Sequence, residues 1–166
     1  SSFSFLPGIG FAIAATTLTG QAFGARRLDD VRPITRIAAT WAAIWMGSIG
    51  ILITIFAEPA LRAFTTDQAV IDAGLNGLRV LGISCCLALP VMFVYAGALR
   101  GTGDTRGPLI VQSLGWWLAV GLAWLALTVL PNSGLGTVWI AFIFVTPWMA
   151  LTLFALLRRR ISALPR

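Results

Sequence analysis

The chain has 166 residues, 58 % of them apolar, a net charge of +6, and neither lysine nor histidine. One water-soluble core of this length cannot hide so much apolar surface, so the surplus must face lipid or other membrane helices. The missing imidazole removes the usual pH switch and a common metal ligand. The positive charge is split among short loops rather than gathered in one patch, which excludes nucleic acid as a partner.

Five apolar runs follow one another at about 3–23, 37–57, 78–99, 108–130 and 136–157, each long enough as a helix to cross the hydrocarbon core. The first opens with Phe5-Leu6-Pro7-Gly8, which puts Pro7 in a first turn. It closes with Gly20-Gln21-Ala22-Phe23-Gly24, where Gly24 is placed for a left-handed cap. No basic segment precedes it, so it does not read as a signal peptide, and the abrupt apolar start is expected of a piece of a longer protein. In the loop that follows, Asp29 or Asp30 is expected to cap the next helix, with Pro33 in its first turn.

Glu58-Pro59 is expected to stop the second run. Thr65-Thr66-Asp67-Gln68 has the form of a capping box. It predicts a helix with Val70, Ile71, Leu75 and Leu78 on one face, continuing into the third run. Pro90 in the middle of that run predicts a kink. A glycine-rich turn, Gly101 to Gly107, precedes Pro108 and the fourth run, which ends at Pro131-Asn132-Ser133-Gly134. The fifth run contains Pro147 and leads into Arg158-Arg159-Arg160 and a basic tail, 158–166. Cys85 and Cys86 are adjacent, with no metal or redox spacing, and read as packing residues.

Arginines collect in alternate gaps. Arg26, Arg27, Arg32 and Arg36, then Arg100 and Arg106, then Arg158, Arg159, Arg160 and Arg166 fall on one side, and only Arg62 and Arg79 on the other. The positive-inside rule places the first set, and the C-terminus, in the cytoplasm. Trp41, Trp45 and Trp139 suit the interfaces, whereas Trp124 and Trp148 lie nearer mid-depth and are expected to face protein. Polar groups at depth mark candidate paths: Thr16, Thr17, Thr19 and Gln21, then Ser84, then Gln112 and Ser113. No Asp or Glu lies within any run, and a cation-coupled transporter needs such a carboxylate. Gly20-x-x-x-Gly24 and Gly97-x-x-x-Gly101 have the spacing of close helix packing. Gly101 and Gly103 are expected to take special dihedrals, and Asp104 to accept backbone N–H groups or pair with Arg100 or Arg106.

Thr19-Gly20-Gln21-Ala22-Phe23-Gly24-Ala25 and Arg100-Gly101-Thr102-Gly103-Asp104-Thr105 together resemble two motifs of the multidrug and toxic compound extrusion family. The resemblance implies an all-α membrane protein whose five transmembrane helices are part of a six-helix C-terminal lobe. The N-terminal lobe of a twelve-helix transporter would be its partner. It implies export of small organic, often cationic or amphipathic, compounds across the cell's inner membrane by alternating access. H⁺ or Na⁺ would be the coupling ion and no other cofactor is implied. Some members carry an acidic residue in the helix matching the third run. Here Cys86-Leu87-Ala88-Leu89-Pro90 stands there, so the coupling carboxylate is expected in the other lobe.

Candidate cavity residues are Phe5, Ile9, Ile13 and Thr16 of the first run and Ser84, Met92 and Tyr95 of the third. Gly20, Gln21, Gly24, Pro90, Arg100, Gly101, Gly103 and Asp104 are the motif and gating candidates. Three rival readings stand beside this one. A flippase for lipid-linked sugars would need basic residues in its cavity, where Arg79 is the one candidate; a non-transporting membrane piece is another. A membrane enzyme would need an intramembrane His, Asp or Glu cluster, which the runs lack.

Overall fold

The computed structural model describes residues 2–86, 88–129 and 134–162, with side chains described at all of these except 2–5, 69, 73, 81, 84, 85 and 134–139. Seven helices occupy the described residues: α1 (Ser2–Gly24), α2 (Leu28–Ile55), α3 (Ala57–Phe64), α4 (Gln68–Cys86), α5 (Leu89–Gly101), α6 (Arg106–Val129) and α7 (Gly134–Ser162). Among them, α2, α6 and Ile140–Ser162 of α7 are long and apolar enough to cross a membrane, and α5 is a shorter apolar helix.

The bundle is built around α5. Leu89, Pro90, Met92, Val94, Ala96, Gly97, Ala98 and Leu99 are all buried. Helix α5 packs chiefly on α1, then on α7 and α2. The other helices bury single stripes. On α2 these are Val31, Thr35, Ala39, Ala42, Met46 and Gly50, and on α6 Pro108, Val111, Gly115, Ala119 and Ala123. Both follow the three-and-four spacing of one helix face. The main core joins Met92 and Leu99 of α5 to Val145, Met149, Leu153 and Leu157 of α7. Beside this core of Met, Leu and Val, small residues fill many helix contacts while many other Leu, Ile and Trp side chains point outward, because lipid is as apolar as leucine and association rests on close packing. This is an all-α membrane fold.

Several local expectations are corrected. Helix α2 begins at Leu28, one or two residues before the expected cap at Asp29 or Asp30, and carries Arg32, Pro33 and Arg36. Asp29 and Asp30 sit inside its first turn, and neither caps it, since the N-cap is Arg27 without a side-chain bond. Pro7 and Pro33 both fall in second turns. Glu58 and Pro59 do not end α2; it stops at Ile55, and they open α3, where Glu58 pairs with Arg62 at 2.8 Å. The capping box does not form. Thr65 Oγ1 accepts the N–H of Asp67 at 3.2 Å, and the Gln68 amide donates instead to Asp72 at 3.2 Å. Pro90 goes further than a kink: α4 ends at Cys86 and α5 starts at Leu89, with Pro90 in the first turn, where no N–H is missed. Trp124 (67 % exposed) and Trp148 (45 %) face outward, so neither indole is held inside this chain.

Candidate functional site: the seam between α1 and α5

Ala12, Ala15, Thr16, Thr19 and Gly20 recur at three- and four-residue steps and form one face of α1. That face meets Gly97, Ala98 and Gly101 of α5. A methyl group on Gly97 would collide with the Ala12 carbonyl, and one on Gly101 with the Thr16 carbonyl and Thr19 hydroxyl. One on Gly20 would stand 3.3 Å from the Gly101 carbonyl. The two backbones therefore touch, which only glycine allows. Gly24 does not share in this; nothing lies within 4 Å of its would-be methyl.

Hydroxyls stitch the seam. Thr16 Oγ1 donates to its own Ala12 carbonyl at 2.8 Å, and the Gly97 carbonyl lies 2.9 Å away on α5. Thr19 is fully buried, bonded to the Ala15 carbonyl at 2.5 Å with the Ala98 carbonyl at 3.3 Å. Each threonine thus satisfies itself and still meets a carbonyl of the neighbouring helix.

Both helices end at this seam in the same way. After α5, Gly103 N–H bonds the Arg100 carbonyl and Asp104 N–H the Leu99 carbonyl, each at 3.0 Å, with Gly103 at φ 84°. This is a Schellman ending. The Thr102 hydroxyl is buried and donates to Leu99 at 2.8 Å. After α1, Arg26 N–H bonds the Phe23 carbonyl at 3.0 Å and Arg27 N–H the Ala22 carbonyl at 2.9 Å. Here Arg26, at φ 58°, holds the left-handed position expected of Gly24. Gly101 also departs from expectation: it is helical, and its role is close approach.

Asp104 Oδ1 accepts the Gly107 N–H at 2.8 Å, which fixes the start of α6. A side chain at Gly107 would press on that carboxylate. Neither Arg100 nor Arg106 pairs with Asp104 among the described residues. Arg100 instead donates to Gln112 Oε1 at 2.9 Å, tying α5 to α6. Gln21 lies on the exposed side of α1.

The cavity candidates separate. Ile9, Ile13 and Thr16 line a cavity of about 290 Å³ beside the seam, with Phe93 and Arg100 of α5 and Gln112 and Trp116 of α6. Met92 is fully buried in the core against α7, apart from this cavity. Tyr95, three residues on, sits at the edge of the same core, against Phe154 of α7 in an edge-to-face contact at 5.5 Å. The side chains of Phe5 and Ser84 fall outside the described residues. Arg79 is exposed on α4, away from this cavity. Arginines counted only for topology do border one: Arg32 and Arg36 of α2 and Arg158 of α7 surround a cleft at Tyr95. The four-residue step from Arg32 to Arg36, which puts both on one helix face, was the available signal.

The MatE family profile matches residues 1–125. A probable multidrug resistance protein NorM of Thermotoga maritima is 32 % identical over 118 residues, covering 71 % of this chain and 25 % of the relative. The one from Pasteurella multocida is 30 % identical over 170 residues, 99 % of this chain and 36 % of the relative. Human multidrug and toxin extrusion protein 1 is 25 % identical over 144 residues, 85 % of this chain and 25 % of the relative. The chain thus spans between 25 % and 36 % of the length of these relatives. With most of its length matched and both motifs locked into one seam, the chain belongs to the MatE family of multidrug and toxic compound extrusion proteins.

Proposed function

We propose that this chain is the C-terminal-lobe part of a secondary-active multidrug exporter, doing transport rather than catalysis. It would work with an N-terminal lobe of the same protein in the cell's inner membrane, C-terminus inside. The observation that carries the reading is the seam, where both family motifs end on touching backbones beside a cavity. Backbone contact makes α1 and α5 one rigid piece, since neither can slide without forcing glycine Cα atoms into carbonyls. Helix α6 packs mainly on α7 and meets α5 only sparsely. That difference gives alternating access a boundary: α1 and α5 move together, and the cavity wall formed by α6 changes beside them.

The cavity suits amphipathic organic molecules. Ile9, Ile13, Phe93 and Trp116 offer apolar and aromatic wall, and Arg100 and Gln112 a polar end. A cationic substrate would lie over the Trp116 face, away from the Arg100 guanidinium. Among the described residues no carboxylate lines this cavity, and in this reading H⁺ or Na⁺ coupling would fall to the other lobe.

The test is dye efflux by the intact protein in a host stripped of its own exporters. Cells carrying it should accumulate less of several cationic dyes than cells with an empty vector, and Gly101→Leu, which would drive α1 and α5 apart, should abolish the difference. Equal accumulation of every dye with and without the protein sinks the exporter reading.

A further inference from the structure

We propose that the cleft between α2, α5 and the end of α7 binds the phosphate headgroup of an anionic phospholipid, with an acyl chain laid along α2. Arg32, Thr35 and Arg36 share one face of α2, and Phe154 and Arg158 share one face of α7. Together with Tyr95 they enclose about 450 Å³. A second hollow of about 520 Å³ shares Arg36 and Tyr95 and runs on along Ala39, Ala43, Ile44 and Val91. One end of the combined site is basic and the other is aliphatic. Arg36 to Ile44 is about 12 Å of helix, a direction that leads from the helix end toward the middle of the membrane. This is the shape of an amphiphile with an anionic head.

The arginines call for such a ligand. None of the three pairs with a carboxylate among the described residues, where the ion pairs are Arg27–Asp30 and Arg62–Glu58. The carboxylates nearest in sequence, Asp29 and Asp30, sit in the first turn of α2, and Asp30 is engaged by Arg27. Three guanidinium groups around one cleft repel one another until an anion enters. Guanidinium matches phosphate oxygens in bidentate fashion better than any other side chain. Depth agrees as well. At 28 residues α2 is about 42 Å long, more than the hydrocarbon core, so its first turns reach into the headgroup layer. Basic pockets between membrane helices at that level are the usual seats of anionic lipids. The site does not depend on what the protein exports.

Native mass spectrometry of the intact protein, released from detergent micelles, tests this with phosphatidylglycerol, phosphatidylcholine and inorganic phosphate as probes. Phosphatidylglycerol should be retained in preference to phosphatidylcholine. Each arginine neutralised should weaken retention roughly fivefold, so the combined Arg32→Gln, Arg36→Gln, Arg158→Gln variant should lose about a hundredfold. Arg159→Gln and Arg160→Gln, beside the cleft in sequence but not lining it, should bind as the parent does. Ala43→Trp, which fills the aliphatic hollow, should weaken the lipid alone. If the triple variant does not fold, Arg36→Gln against Arg36→Lys decides, since lysine keeps the charge. Undiminished retention in the neutralised variants overturns the proposal. Displacement of the lipid by an equal concentration of inorganic phosphate overturns it too, and would make the cleft a small-anion site. Because lipid retention is read without any efflux, its failure and the failure of the exporter reading are separate results.

Discussion

The two motif-bearing turns, residues 20–30 and 97–107, solve the same problem with different residues. Each ends a helix in a Schellman turn and starts another within a few residues. At the second, glycine takes the left-handed position and Asp104 anchors α6. At the first, Arg26 takes the left-handed position and the N-cap Arg27 offers no side-chain bond. The second turn is built from residues that fit their backbone; the first accepts strain and a bare helix start while keeping two arginines at the membrane edge. The difference teaches that one turn is tuned for precision and the other for charge, and substitutions should separate the two.

The largest separation is expected at the glycines where the turns meet. Gly101→Ala drives a methyl into the Thr16 carbonyl and the Thr19 hydroxyl, backbone and a side chain already bonded in place. Overpacking of this kind costs about 1–3 kcal/mol. Gly20→Ala meets only the Gly101 carbonyl at 3.3 Å, which needs a shift of a few tenths of an ångström, so it should cost less than half as much. Unfolding midpoints of the two variants in detergent, followed by tryptophan fluorescence, check the ranking. Equal costs would mean that the seam is looser than backbone contact.

Next in size are the left-handed positions, where the sign should reverse. Gly103→Ala adds a side chain at φ 84°, costing about 1–2 kcal/mol. Arg26→Gly removes that same strain, less about 0.5–1 kcal/mol of chain entropy, for a net gain of about 0–1.5 kcal/mol. Opposite shifts in the same unfolding assay are the expected result, and a loss on Arg26→Gly would show that the arginine side chain itself holds the turn. Asp104→Ala follows: it frees the Gly107 N–H and costs about 1 kcal/mol, while Asp104→Asn keeps an acceptor oxygen and should recover most of it.

The sequence carried the coarse fold through its apolar runs, and the functional seam through glycine spacing, because both depend on properties one residue displays alone. Gly97-x-x-x-Gly101 marked a real contact. Gly20-x-x-x-Gly24 was half right, because spacing places two glycines on a face without saying how far the partner helix extends along it. Helix ends were misjudged for a related reason. Asp29 and Asp30 look like caps, but the chain leaves α1 through a turn closed at Arg26, so α2 already starts at Leu28. Arg32 and Arg36 share one face of α2 and wall a cleft, which counting charges gap by gap does not show. Met92 and Tyr95, three residues apart, share a side of α5, yet Met92 is fully buried in the core while Tyr95, at the core's edge, reaches Phe154 and lines the arginine cleft. Hydropathy could not separate them, since in a bilayer the inside and the outside of a bundle are equally apolar.

The smallest effect tests whether the bare start of α2 is truly bare. Asp30 lies in the first helical turn, and its carboxylate stands 3.6 Å from the Arg27 guanidinium. Both side chains are about half exposed or more, so solvent screens the pair and it is worth at most a few tenths of a kcal/mol. The helix dipole adds a similar amount for a negative charge near the first turn. Asp30→Ala should therefore cost roughly 0.5 kcal/mol, about half the loss at Asp104, where a backbone N–H is orphaned as well. Salt distinguishes the two mechanisms. The Asp30 loss is purely electrostatic and should shrink toward zero in molar salt, whereas the Asp104 loss is a short hydrogen bond and should persist. A salt-resistant loss at Asp30 would mean that its carboxylate caps α2 after all, and the two turns would then differ only in which residue takes the left-handed position.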